Sequence, residues 1–368
     1  MPRNRSDAPM ACVFIGSTGD HAGQTLLAWA LGRRLMEMGL RVSLFKPFAT
    51  HPLEVGGKWT DRDAVFFKEA LRLDDPLERI CPFVPPGPYL TETGPEVLAD
   101  RIVTMANEIS SGVDILLVMG FQDIFFDDVS HPVPDTSLIN ALGARLLLVT
   151  RYQEASTSIY SILSIFSLVR DKVKGIVLNR VPPEKLELVR GQFLPFLIQK
   201  GVPISACLPE DPMLGCRSLR EVLEVVDGEL LTGDQGLDLP VAGMTVGSAD
   251  LEGGLTVFKR VYNKVVLVGP VPLHASGEEV SRPRSVVGIL LTSQRMPPPV
   301  VLEAARRAGV SLALVKDDTF AALDRLQRSS PSLSPADEGK VLRFTELLDL
   351  DHAFEKLMAS LGIFDPRI

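Results

Sequence analysis

Residues 11–27, Ala-Cys-Val-Phe-Ile-Gly-Ser-Thr-Gly-Asp-His-Ala-Gly-Gln-Thr-Leu-Leu, limit what this chain can fold into more than any other stretch. The continuous apolar run at 11–15 suits a central parallel strand, buried on both faces. Gly16, Gly19 and Gly23 then make a glycine-rich turn. Residues 24–38 have helical spacing, with Leu27, Leu31 and Leu35 on one face and Arg33 and Arg34 on another. Gly39 supplies the stop, as a glycine just past a helix does. Residues 41–45 alternate into a second strand. A strand, turn, helix and strand of these lengths form a βαβ element, because parallel neighbours need a crossover.

The same stretch has the layout of a phosphate-binding loop, in which backbone N–H groups of a glycine-rich turn and a helix N-terminus converge on anionic oxygens. Such a loop also needs a lysine for the terminal phosphates and a Ser/Thr hydroxyl for Mg²⁺. Gly23 and Thr25 stand where the pattern wants them. Thr18 occupies its leading glycine position, and Gln24 replaces the lysine. A glutamine donates hydrogen bonds but carries no charge, so phosphoryl transfer loses its main fixed cation. Asp20 adds a negative charge to the loop, and His21 brings a cation only when protonated. Lys46, at the end of the second strand, is the cation placed to approach the site. Three readings stay open: a tight turn with no ligand, a working ATPase loop, and a site that binds a nucleotide or another anion without turnover.

Strand and helix signals alternate up to about residue 230. Strands are expected at 113–120, 144–150, 174–179 and 203–208, and helices at 60–71, 95–110, 156–169, 183–199 and 218–226. Residues 51–58 read as a loop and 121–135 as an aspartate-rich loop. This alternation predicts an α/β fold with a doubly wound, mostly parallel sheet. The expected division is a disordered tail at 1–10, a first domain at 11–230, a turn-rich boundary at 231–240, a second, smaller α/β domain at 241–328, and a C-terminal helical segment at 336–368 that packs back.

The net charge of −8 argues against a broad nucleic-acid footprint but not against one local anion. Cys12, Cys81, Cys207 and Cys216 are scattered without a C-x-x-C pair, which fits a reducing cytosol rather than a disulfide framework or zinc site. No apolar run is long enough to span a bilayer, and the polar start lacks a secretory apolar core. These features give the expectation of a cytoplasmic protein with no membrane or nucleic-acid partner. Asp123, Asp127, Asp128 and His131 crowd one loop, where a displaced metal site competes with ordinary solvated or capping roles. Asn179, Arg180 and Val181 end a strand where open α/β sheets bind ligands.

Several motifs together resemble a known family. Gly-Ser-Thr-Gly-x-x-Ala-Gly-x-Thr at 16–25, Phe-Lys-Pro at 45–47, Asp-x-Asp-Ala at 61–64, Val118-Met-Gly120 and Val177-Leu-Asn-Arg-Val181 are similar to the dethiobiotin-synthetase-like P-loop domain that begins long bacterial phosphotransacetylases. The layout of 241–327, especially 257–268 and 308–319, resembles the DRTGG domain that follows it. The resemblance implies a P-loop NTPase-like sheet and ATP or another nucleotide with Mg²⁺ as cofactor. It implies cofactor contacts at Gly19, Ala22, Gly23, Gln24, Thr25, Lys46 and Asn179, with Asn179 near adenine, and metal contacts at Thr25 and Asp63. The family's loop lysine is Gln24 here, and its Val-Glu-Gly glutamate is Met119. A thioether is a poor ligand for Mg²⁺, which wants hard oxygens. The paired loss points to a regulatory or ligand-binding protein without catalytic residues, which associates through its second domain. The runner-up is an ATP-dependent ligase or synthetase that uses Lys46 and the 123–128 loop as replacements.

Overall fold

The computed structural model describes residues 11–87, 94–121, 123–124, 131–246, 264–268, 286–294, 296–329, 331–350 and 352–363. The expected tail at 1–10, the helix expected near 251–260 and the Gly269–Gly277 stretch lie outside the described residues. The chain divides into two units, Met1–Glu210 with Phe344–Ile368, and Asp211–Arg343.

In the first unit the strands are β1 (Ala11–Ser17), β2 (Val42–Phe45), β3 (Pro52–Val55), β4 (Lys58–Asp61), β5 (Ile115–Met119), β6 (Arg145–Arg151), β7 (Val173–Val181) and β8 (Ile204–Pro209). Six of them form one sheet in the order β2-β5-β1-β6-β7-β8, and every pairing in it is parallel. The longer helices include α1 (Gln24–Glu37), α2 (Arg62–Ala70), α3 (Pro95–Ile109), α4 (Asp135–Ala141) and α5 (Ala155–Leu168). This is the α/β architecture the alternation predicts. β1 lies inside the sheet, and its residues from Cys12 to Ser17 are buried, which is why it reads as unbroken apolar sequence.

On α1, Leu27, Leu31 and Leu35 are fully buried. At about 1.5–3 kcal/mol each, their burial fixes which face meets the sheet. Gly32 lets that face approach, since a Cβ there would lie 2.9 Å from Leu71 Cδ1 and 3.4 Å from Leu117 Cδ1. Beyond α1, Gly39 takes φ +82° and donates to the Met36 carbonyl at 2.9 Å, ending the helix as expected.

Residues 51–58 correct a sequence expectation. β3 and β4 pair antiparallel from Pro52↔Asp61 to Val55↔Lys58 around Gly56 and Gly57, whose positive φ values close the hairpin. Largely exposed, this pair has no apolar run to announce it. The four cysteines are free and buried, and burial pushes the Cys12 thiol up to about 12.

The second unit begins earlier than the turn-rich segment suggests. β9 (Arg217–Ser218) pairs with β11 (Pro240–Val241), and α6 (Leu219–Val226) starts on a Ser218 side chain that accepts from Glu221 N. β10 (Glu229–Thr232), β12 (Gly243–Val246), β13 (Lys264–Val268), β14 (Val286–Leu291) and β15 (Ser311–Leu314) form a sheet in the order β10-β15-β14-β13-β12. Only β14 and β15 run parallel in it. On one face Leu219, Val222 and Val226 of α6 and Leu326 of α8 (Thr319–Arg328) cover Val265, Leu290 and Ala313. On the other, Val301 and Ala305 of α7 (Pro299–Ala308) cover Val266, Ile289 and Leu312. Alternation along each strand sends neighbours to opposite cores. The helix and strand between 218 and 232 therefore belong to the second unit, and the opening stretch of the first unit runs to Glu210 rather than to about 230.

The chain returns to the first unit at Phe344, within α9 (Glu338–Asp349). α10 (Ala353–Ser360) packs on β7 and β8, burying Phe354 and Leu357. The described part of the C-terminal segment thus carries two helices, α9 and α10. Among the described residues, no helix is long and apolar enough to cross a membrane.

Candidate functional site

The sheet order reverses direction at β1: the chain leaves it toward β2 on one side and later resumes with β6 on the other. Open α/β sheets bind ligands at such a point, beyond the carboxyl ends of the strands. The glycine-rich loop sits there. Its turn is built by Gly19 at φ +143°, His21 at φ +57° and Gly23 at φ +102°. Gly23 caps α1 without any side-chain hydrogen bond, and the first turn holds no acidic residue. The helix N-terminus thus keeps the positive end of its dipole for an anion. Thr25 is half-buried in that first turn, Ala22 is buried, and Asp20 and His21 are exposed. Asp20 therefore does not fill the loop.

Gln24 turns inward. Its Nε2 donates to the Ile15 carbonyl at 2.6 Å and to the Gly120 carbonyl at 3.0 Å. A primary amide has two hydrogens, and both are spent on the ends of the two central strands. Ile15 and Met119 are direct neighbours in the β1–β5 ladder, and the Met119 side chain is buried. The two departures from the family pattern therefore stand side by side, and Gln24 in this arrangement offers no donor to a phosphate.

Asn179, at the end of β7, braces the loop from the other side. Its Nδ2 donates to the Ala22 carbonyl at 2.8 Å, and its Oδ1 accepts from Arg180 N at 2.9 Å. A Cβ on Gly23 would lie 2.5 Å from Asn179 Nδ2, so position 23 must be glycine for two reasons, its φ and this contact. Arg180 sits at φ +57° and forms an ion pair with Glu210 at 2.9 Å. Asn179 thus meets the loop backbone.

Lys46 follows β2, separated from β1 by β5, roughly 10 Å at two strand spacings. Its Nζ donates to Thr50 Oγ1 at 2.7 Å, Asp61 Oδ1 at 2.8 Å and Asp63 Oδ2 at 2.5 Å. An ammonium has three donors, so none is left for a ligand. This corrects the expectation that Lys46 supplies the missing loop cation: the two nearby carboxylates hold it. Burial opposes the charge on Lys46, but Asp63 and Asp61 outweigh it and keep the ammonium above its ordinary value. Burial would likewise raise Asp63, yet Lys46, with Arg62 and His51 behind it, holds that carboxyl below the usual range. Burial and then Arg62 push His51 down.

Asp61, quoted above only as part of the motif at 61–64, is the residue without an expected site role. It is fully buried and caps α2 by accepting from Asp63 N at 2.8 Å. Its Oδ2 also accepts from Thr50 N at 2.9 Å and His51 N at 2.8 Å. The available signal was its place just before a helix with Asp63 in the first turn.

A divalent cation does not fit this donor set. Asp63 is engaged by Lys46, Met119 offers sulfur, and only the Thr25 hydroxyl remains of the three family positions. Among the described residues no group of three His, Cys, Asp or Glu side chains could hold a metal. Asp127 and Asp128 lie outside the described residues. Asp123 pairs through its backbone with Thr18, which joins the following segment to the end of β1. His131 is buried, hydrogen-bonded through Nε2 to Asp135 Oδ1 at 3.1 Å, with Phe48 and Phe121 rings 4.5 and 4.7 Å away. Asp135 Oδ2 also accepts from Phe121 N at 2.8 Å, so this His–Asp pair pins the chain just after β5.

Comparison with known proteins agrees with these motifs. The chain is 22% identical over 363 residues to a phosphate acetyltransferase from Synechocystis, covering 94% of this chain and 51% of that protein. It thus spans about half the length of that relative. It is 30% identical over 146 residues to an ATP-dependent dethiobiotin synthetase from Sulfurovum, covering 38% of this chain and 69% of that one. Among solved structures, the MinD cell division protein of Aquifex aeolicus aligns at 18% identity with a TM-score of 0.36, covering 55% of this chain and 84% of that one. The AAA_26 family, an AAA domain, matches residues 12–217, more than half of the chain, and the DRTGG domain matches residues 221–329. The chain belongs to this P-loop family, with a DRTGG domain following its dethiobiotin-synthetase-like domain in sequence.

Proposed function

We propose that this protein binds a nucleotide or another small anion at the loop of residues 16–25 without efficient turnover, and acts as a regulatory module in a phosphotransacetylase-like context. The observation that carries the reading is the Gln24 amide, whose hydrogens go to Ile15 and Gly120 instead of outward. Support for binding comes from the uncapped start of α1 and the open loop, which retain the backbone half of a phosphate site. Support for weak turnover comes from the absence of a charged side chain at positions 24 and 119, where transition-state charge needs stabilising. Self-association through the second unit and a cytoplasmic setting belong to the same proposal.

Isothermal titration with ATP and ADP, beside a phosphate-release assay, tests it. The expected result is saturable binding of at least one nucleotide with no phosphate release above the buffer rate. Binding of neither would remove the nucleotide part of the reading. ATP hydrolysis lost on Asp63→Ala would favour instead an ATP-dependent ligase or synthetase, the activity of the Sulfurovum relative.

A further inference from the structure

The cluster at the end of β2 has the form of a cation site whose cation is covalently attached. Three oxygens of different origin, Thr50 Oγ1, Asp61 Oδ1 and Asp63 Oδ2, converge on the Lys46 ammonium at 2.5–2.8 Å. The Lys46 side chain is 3% exposed, Asp61 is 0% and Asp63 is 18%, so of the two carboxylates Asp63 is the one that opens toward solvent. Asp61 does not depend on the ammonium for its position. Backbone N–H groups of Thr50, His51 and Asp63 fix Asp61, and Asp63 lies in the first turn of α2. We propose that Lys46 is the resident cation of this site, and that it excludes divalent metal from Asp61 and Asp63. In consequence, and resting on the function proposed above, a nucleotide at the loop binds without a divalent ion.

Charge count supports the assignment. Two carboxylates sharing one buried ammonium are already near the limit of what the interior tolerates. A divalent ion entering beside the ammonium would meet like charge at hydrogen-bond range, with no third carboxylate among the described residues to offset it. If the ammonium is removed, the carboxylate of Asp61, braced by backbone, remains beside Asp63 and the Thr50 hydroxyl, all hard oxygen donors suited to Mg²⁺ or Mn²⁺.

The test is an Mn²⁺ titration by electron paramagnetic resonance on the full chain, at a pH near 8. Wild type is expected to show no saturable site, Lys46→Met one site, and Lys46→Met/Asp63→Asn none. A saturable wild-type site that Asp63→Asn abolishes would overturn the proposal even if Lys46→Met does not fold. A folded Lys46→Met that binds no Mn²⁺ would also overturn it. ADP affinity is then measured with Mg²⁺ and with EDTA. Equal values are expected, and a strict Mg²⁺ requirement sinks the metal-free consequence. ADP that binds in neither condition removes ADP binding from the proposed function, and with it the metal-free consequence, but leaves the Mn²⁺ result to decide the role of Lys46.

Discussion

The side-chain amide of Gln24 donates at 3.0 Å to the backbone carbonyl of Gly120, a residue 96 positions later in the chain. The bond ties the first turn of α1 to the end of β5. A side chain at the lysine position of a phosphate loop has become a bracket between two strands.

Truncating that bracket should cost stability. Gln24→Ala removes the donor from Gly120 and one of two donors from Ile15, whose carbonyl also accepts Gly120 N at 3.0 Å. A loss of about 1–3 kcal/mol is expected, the penalty of an unsatisfied part-buried polar group. Gln24→Glu should lose more, since a carboxylate would face two carbonyl oxygens. Urea unfolding followed by the fluorescence of Trp29, buried on α1, measures both. Equal midpoints for wild type and Gln24→Ala would refute the bracket.

Gly23 and Asn179 should be energetically coupled. Gly23→Ala forces a Cβ into the Asn179 amide at a φ that alanine disfavours, for a combined cost of about 1–3 kcal/mol. Asn179→Ala relieves the clash but not the backbone strain. A double-mutant cycle should therefore show the pair less destabilised than the sum of the singles. Strict additivity would mean that Asn179 does not brace the loop.

Asp61→Asn should be among the most damaging single changes in the first unit. The carboxylate accepts from Lys46 and from three backbone N–H groups, whereas an asparagine would turn a donor toward donors. A cost of about 3–5 kcal/mol is expected, as for breaking a buried ion pair. Thermal melting of the variant beside Asp63→Asn checks the ranking, with Asp61→Asn melting lower.

Acidification should weaken the first unit in two stages. His51 has its pKa depressed from 6.5, so below that pH the unfolded chain takes up a proton that the folded one resists, and stability falls. Asp63 is depressed from 3.8, so its contribution is present above that pH and is lost as pH drops through the lower folded value. Lys46 is raised above 10.5, so its contribution is complete below 10.5 and fades only at higher pH. Unfolding midpoints from pH 8 down to 3 should show both stages. His51→Gln should erase only the first, and persistence of that stage would assign it elsewhere.

Much of the first sheet could be read from the chain because its strands are buried on both faces and so appear as unbroken apolar runs, as at 11–15 and 115–119. The hairpin at Pro52–Asp61 could not, since most of its residues are exposed and Gly56-Gly57 was its only punctuation. α6 was visible as an amphipathic helix, but its apolar face does not say which sheet it covers. The partner is β13–β15, encoded some forty to ninety residues later, roughly a domain's length of intervening chain. The loop was legible as far as Gly23 and Thr25, whose positions follow from local geometry. The destinations of Gln24, Asn179 and Lys46 were not, because each side chain ends on a group brought near only by the folded sheet.

The return of the chain at Phe344 has a consequence for how the molecule is assembled. Leu357 and Leu361 of the final segment are fully buried in the unit that β1 begins. That unit is discontinuous, while Asp211–Arg343 is a single uninterrupted span. During synthesis the inner span can close as soon as it emerges, whereas the older sheet must wait with the face of β7 and β8 bare until α10 arrives. A ribosome stalled before residue 344 would therefore hold an exposed apolar face, a substrate for chaperones rather than a finished domain.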